Sequence, residues 1–370
     1  MPYQPRRSFL KLAAAAGLAP VLGGLALPAP AAEPRRFAPQ PSDWRSFQTV
    51  TRVTLPAGSG PAQVWLPVPS LDNDYQRSIG NEIGGNAASA RIVTDPASGA
   101  RYLHASFQGG GAPELVLTSS FQTRNRTVDW SRTAEVAEDP AVLKAALRPS
   151  GNKPLDGVVA ETAAGITAGA QSDVDKVRAI YAWIVTNCHR NLDTPGCGPG
   201  DVVATLASAG NGGKCADLNG LFVALARASG VPARDVYGIR VAPSAFGFKQ
   251  LGANDAAITG AQHCRAEVWL SGHGWVAMDP ADVLKVMRAE TDTWIKDPAD
   301  PLVAQVNAAL FGNWEGNWVG YNTAEDLVLA GRDRPLPFLM YPQATLDGKP
   351  LDELDAKAFA YEITARPLDA

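Results

Sequence analysis

An α+β fold, with a helical half packed on an antiparallel sheet and a β-sandwich-like region before it, follows from three features of this 370-residue chain. Residues 45–130 run in short alternating apolar stretches broken by turn clusters such as Ala57-Gly58-Ser59-Gly60 and Gly109-Gly110-Gly111, the pattern of antiparallel strands. Residues 173–187 and the run from Cys215 to Ala228 carry apolar side chains at three- and four-residue spacing, as core-facing helices do. Three β signals follow the second helix, at 235–241, 263–270 and 275–279.

Taken in order, the chain opens with an alanine- and glycine-rich stretch, residues 12–29, preceded by Arg6, Arg7 and Lys11. Residues 1–31 are therefore expected to be a signal peptide, ending at the small-x-small site Ala29-Pro30-Ala31. The string Arg6 to Lys11, RRSFLK, resembles the twin-arginine export signal, which predicts a periplasmic or secreted protein. The three basic residues Arg6, Arg7 and Lys11 leave with that segment, moving the formal charge from −4 to −7. An acidic chain without a basic cluster argues against nucleic acid as a partner, and no strongly apolar run of membrane length predicts a stable span once the signal is removed. Nothing in the chain specifies an oligomeric state.

Residues 32–44, proline-rich and polar, read as an extended leader. Residues 45–135 are the expected β-rich N-terminal domain, in which His104 sits in an alternating strand as a packing or surface residue. Residues 136–290 form the expected core. Within it Val174, Val177, Ile180, Tyr181, Ile184 and Val185 share one helical face, capped by Ser172. A shorter helix over 201–208 precedes the glycine loop that delivers Cys215. Residues 242–262 form a long loop near the presumed site, suited to act as a lid or specificity loop. Residues 291–370 are expected as a β-rich C-terminal extension with a hairpin turn at Leu346-Asp347-Gly348-Lys349. There Trp314, Trp318 and Tyr321 form an aromatic cluster that fits the core better than a cleft.

Cys215 carries the chemistry. It follows Gly212 and Gly213 at a helix start, where unpaired N–H groups and the positive end of the dipole favour thiolate over thiol. A cysteine nucleophile needs a base and a group to orient it. Of four histidines, His263 opens the strand before a hairpin, and Asp279 closes the strand after it. If Leu270 pairs with Trp275, Asp279 points to the wrong face and Asp282 falls opposite His263. If a three-residue loop pairs Leu270 with Gly274, Asp279 lies diagonal to His263 on the same face. The pattern leaves both acids open. Export permits disulfides, and Cys188 and Cys197 bracket a short loop, though pairing is not readable from spacing. No C-x-x-C or H-x-x-x-H spacing supports a metal site, and no EF-hand pattern is present.

The segments GKCADLNGLFVALARASGVPAR, 213–234, and HCRAEVWLSGHGWVAMDP, 263–280, resemble the two halves of the transglutaminase-like core motif of the papain-like cysteine superfamily. The match rests on Gly213, Cys215, Arg227, Gly230 and Pro232-Ala233-Arg234, then on His263, Glu267-Val268, Gly274-Trp275 and Asp279-Pro280. One departure is Cys264-Arg265 after the histidine, where the family usually has a small residue and then an aromatic. The resemblance implies a papain-like core with Cys215 as nucleophile, His263 as base and later acid, and Asp279 orienting the imidazole. The Cys215 N–H would be one oxyanion donor, and the second has no assignment. Asp217 is read as favouring the positive helix end, and Arg234 as holding loop and strand together. The implied activity is that of an exported cysteine-dependent amide-bond enzyme, peptidase, amidase or acyltransferase, acting on a peptide, protein or cell-wall amide without a cofactor. Its rival is an inactive binding or assembly module of the cell envelope.

Overall fold

Two antiparallel sheets are built from the N-terminal strands, and each is completed by the far end of the chain. In the computed structural model, which describes residues 35–57 and 60–368, the first sheet runs in the order Ala360–Pro367, Arg45–Thr54, Glu114–Thr123, Gln76–Gly85. The second runs Lys349–Pro350, Gln343–Leu346, Ala62–Pro67, Arg101–Phe107, Ser89–Thr94. Val53, Leu115 and Leu117 of the first sheet meet Val64, Leu66, Leu103 and Ala105 of the second in one buried cluster. The alternation of strand side chains thus makes a sandwich. The expected signal peptide lies outside the described residues. Among the described residues no helix is long and apolar enough to cross a membrane.

The pairing of Phe47 with Pro367 and of Val64 with Ala344 joins segments some three hundred residues apart, which no local pattern announces. The hairpin at 346–349 forms as expected: Leu346 pairs with Lys349, and Asp347 and Gly348 both take positive φ, 51° and 77°.

A third, five-stranded antiparallel sheet holds Phe311–Gly312, Gly274–Met278, Gln262–Leu270, Ala233–Arg240 and Trp318–Asn322 in that order. The helix Cys215–Ala228 lies on one face, where Leu218, Leu221, Phe222 and Leu225 pack against Cys264, Ala266 and Val268. The helix Asp173–Asn187, capped by Ser172, covers it with Val177, Ile180, Tyr181 and Ile184. The other face of the sheet meets the sandwich through Phe47, Phe121, Ile239, Val319 and Ile363. Trp314 and Trp318 are buried, as a core aromatic cluster should be.

Two helices lie beyond the expected elements, the second of them inside the extension expected to be β-rich. Pro280–Ala289 and Pro301–Leu310 each begin with an aspartate cap, Asp279 and Asp300, followed by proline at the first position.

Buried ion pairs lock the layers together. Glu267 on the central sheet is bound by Arg126 and by Arg234, the latter at 2.6 Å, with Arg234 lying over Trp275. Glu325 is held by Lys153 at 3.0 Å and by Arg227 of the helix that bears Cys215 at 2.8 Å. Burial alone would raise both carboxyls, but the cations hold each at about 2, against an ordinary 4.5. A depressed folded-state pKa adds stability above the unfolded value and loses it as pH falls through the folded one. Unfolding free energy should therefore drop by on the order of 3 kcal/mol per carboxylate as pH falls from about 4.5 to 2. Glu267→Gln, compared with wild type in urea titrations across that range, should be less stable at pH 7 and show a shallower acid slope.

Candidate active site

Cys215 occupies the first position of its helix, with Lys214 as the N-cap residue. The loop that delivers it is pinned from behind by Asp217, whose carboxylate accepts from the N–H of Lys214 and of Gly200, both at 2.9 Å. A methyl group on Gly198, at φ 87°, would meet the Asp217 carboxylate at 1.8 Å, so only glycine lets that loop close on the helix. Asp217 therefore binds two loop amides besides lying at the positive helix end, while burial pushes its carboxyl up to about 6. The Ala216 N–H is taken by the Cys197 carbonyl at 2.9 Å. The Cys215 N–H, at the first helical position, has no intrahelical acceptor.

The hairpin carries the other side of the site. Leu270 pairs with Gly274 and Ala266 with Met278, leaving Ser271 to His273 as the loop. Gly272 at φ 86° and a His273 N–H bond to Leu270 O shape that turn. This is the register that puts Asp279 on the face of His263. His263 Nε2 lies 2.8 Å from Asp279 Oδ2 and 3.4 Å from Asp282 Oδ2, so both acids converge on one ring nitrogen. Asp279 Oδ1 accepts from Asn219 Nδ2 and from the Asp282 N–H, each at 3.1 Å. Asn219 sits one turn down the helix from Cys215, and it also donates to Cys264 O and accepts from the Ala281 N–H. Asp282 is instead gripped by Arg240, at 2.6 and 2.7 Å. Trp318 Nε1 donates to His263 O at 2.8 Å and fixes the strand end.

The electrostatics split the cysteine and histidine apart. The Cys197 and Cys264 thiols, followed by His263, hold the Cys215 thiol well below its ordinary 9.0 despite burial. His263 is raised above 6.5: burial works against its charge, but Asp282 and Asp279 outweigh it. Asp282 is held well below the carboxylate range because Arg240 overcomes its burial, whereas burial and then Asp282 raise Asp279. A thiolate beside an imidazolium is the arrangement these shifts favour.

A cleft of about 560 Å³ opens on Cys215 and His263. Gln262 also lines it, and its Nε2 is buried without a hydrogen-bond partner. The long loop 242–262 supplies one wall. It is tied down by Ile258 N–H to Ile363 O, Ala365 N–H to Ala256 O and Arg240 to Leu251 O. Another part comes from Tyr341, Glu353, Leu354 and Tyr361 near the C-terminus.

All four cysteines are free thiols. Cys197, rather than pairing with Cys188, turns toward Cys215 and reaches Gln262 O at 3.3 Å. His263, Asp279 and Asp282 gather enough ligand atoms to hold a cation by type, but Arg240 and Arg265 stand against the two carboxylates and already supply positive charge there.

The structure brings together Cys215, His263 and Asp279, the three that the family resemblance implies, keeps Asp282 within 3.4 Å of the ring, and adds Asn219, Arg240, Gln262 and the two flanking thiols. His104 lies on the sandwich, stacked on Trp65, and His189 bonds Gly210 O outside the cleft. Of the added residues, Asn219 had a signal: four positions after Cys215, it is a polar side chain on an otherwise apolar helical face.

The transglutaminase-like superfamily model matches residues 160–280, the segment that holds the Cys215 helix, the hairpin and Asp279. An uncharacterized protein of Haemophilus influenzae is 34% identical over 340 residues, covering 87% of this chain and 91% of that protein. The crystal structure of a candidate cysteine protease from Cytophaga hutchinsonii superposes with a TM-score of 0.57 at 16% identity, covering 90% of this chain and 93% of the other, a likeness of fold. On these matches, laid over the geometry of Cys215, His263 and Asp279, the chain belongs to the transglutaminase-like superfamily.

Proposed function

We propose that the chain is an exported cysteine-dependent amide-bond enzyme that works through an acyl-thioester on Cys215. The observation that carries this reading is the opposed displacement of the Cys215 and His263 pKa values around a buried 2.8 Å contact between His263 and Asp279. The thiolate attacks the amide carbonyl. The developing oxyanion is met by the Cys215 N–H and by Gln262 Nε2, a buried donor without a partner on a residue that lines the same cleft. His263, with Nε2 committed to Asp279, uses Nδ1 to pass its proton to the leaving amine, and the carbon–nitrogen bond breaks. Nδ1 then takes a proton from water or an acceptor amine, which attacks the thioester and frees Cys215. Water gives peptidase or amidase activity, and an amine gives acyl transfer. The substrate is a peptide, protein or cell-wall amide. Residues 1–31 support the periplasmic or secreted location through their twin-arginine pattern.

Iodoacetamide tests the centre directly. The rate at Cys215 should form a plateau in pH. Its lower limb is set by the thiol, well below 9.0, and its upper limb, where the imidazolium loses its proton, lies above 6.5. Cys215→Ala should remove both that labelling and all turnover. If wild-type Cys215 reacts no faster than a model thiol and His263→Ala leaves the profile unmoved, the enzyme reading fails and a binding module takes its place.

A further inference from the structure

The cleft beside Cys215 holds more positive charge than the chain pairs. Arg190, Lys214, Arg240 and Lys285 all line it. Arg240 is committed to Asp282. Among the described residues Arg190, Lys214 and Lys285 enter no ion pair. They stand on adjoining pieces of chain. Arg190 pairs in parallel register with Gly213, which directly precedes Lys214, and the helix Pro280–Ala289 that bears Lys285 packs on His189–Arg190. The carboxylates that line the cleft, Asp255 and Glu353, belong to the exposed loop and the C-terminal segment instead.

Burial, and next to it repulsion from Arg240, push the Lys285 ammonium down to about 8; Asp282 attracts it, while Arg190 adds further repulsion. A cation held down in this way gains from any anion that enters. The overall charge of the chain is −4, so this wall is not part of a general basic character.

We propose that Arg190, Lys214 and Lys285 form a subsite for a carboxylate of the acyl-donor substrate, next to the amide that Cys215 attacks. The carboxylate is either an acidic side chain or the free terminal carboxylate of a short peptide. A neutral carboxamide in the same place leaves the cations unpaired, and the site discriminates against it. The inference rests on Cys215 being the nucleophile.

Two alkylating agents of nearly equal size read the charge without any known substrate. In wild type the ratio of Cys215 rates with iodoacetate and iodoacetamide should exceed that of a small free thiol by roughly tenfold, and it should shrink as salt rises to about 0.5 M. Lys285→Met, Arg190→Gln and Lys214→Met should each lower the ratio several-fold, Lys285→Arg should restore it, and exposed Lys144→Met should not move it. Because each variant is judged by a ratio, a general loss of reactivity does not imitate the effect. Protection from iodoacetamide then identifies the source. A peptide with glutamate and an amidated terminus is compared with a neutral peptide bearing a free terminus, and each with its carboxamide counterpart. A wild-type ratio equal to that of the free thiol, or a ratio unmoved in all three variants, overturns the subsite while leaving the nucleophile standing. Protection by neither carboxylate overturns it equally. Failure of Cys215 to react with either reagent overturns both readings.

Discussion

Replacing His263 by alanine should lower turnover by about 10² to 10⁴ and move the onset of Cys215 alkylation up toward the ordinary thiol range. Among the largest thiol-depressing neighbours the ring carries charge and the Cys197 and Cys264 thiols do not; the Arg240 and Lys285 cations also interact with the Cys215 charge. Removing it should abolish the upper limb of the pH profile and leave a single rising limb. The two thiols remain, so alkylation persists while amide turnover, which needs the proton from Nδ1, collapses. Asp279→Asn separates charge from position. Its amide still faces Nε2, but the carboxylate that accepts from His263, Asn219 and the Asp282 N–H is gone. The fall in kcat should be smaller than for His263→Ala, with the upper limb shifted down. Stopped-flow alkylation and steady-state kinetics on the same preparations check both.

Arg240→Met should destabilise the fold by about 3–5 kcal/mol, since it leaves the Asp282 carboxylate buried without its partner. The guanidinium also donates to Leu251 O at 2.7 Å, so the loop that walls the cleft loosens with it. There is a catalytic consequence. With Arg240 present, Asp282 spends both oxygens on the guanidinium and leaves Nε2 to Asp279. Without it Asp282, already 3.4 Å from the ring, competes for that proton. Thermal unfolding should show the loss, and adding Asp282→Leu to Arg240→Met should recover part of it, because the orphaned charge disappears. A double variant no more stable than the single one would show that the cost lies in the Leu251 contact.

The helix that presents Cys215 was legible because burial on one side imposes a 3.6-residue period. The face of Asp279 was not, because parity in a hairpin turns on one loop residue. The pattern Ser271-Gly272-His273-Gly274 has two glycines, and both take positive φ, 86° and 72°. That pairing sets Asp279 diagonal to the histidine, but it emerges only when the strands are in register. The helix Pro280–Ala289 escaped for a related reason: its cap, Asp279, is the same residue that serves the imidazole, so one side chain carries two signals. Arg240, Lys285 and Tyr341 carry no mark of a site in the sequence, since their place in the cleft depends on packing between distant segments.

The pairing of strand Ala360–Pro367 with Arg45–Thr54 has a consequence for timing. A nascent chain has Cys215, His263 and Asp279 by residue 279, yet the cleft wall at Tyr341, Glu353 and Tyr361 is still unmade. The strand Ala360–Pro367, which carries Tyr361 of that wall, is also the one that pairs with Arg45–Thr54 at the edge of the first sheet of the sandwich. Closing a loop of that length is among the slow events of folding. Closure of the cleft and completion of the N-terminal sheet are thus one late step, and a chain cut short during synthesis carries Cys215 without that wall of the cleft.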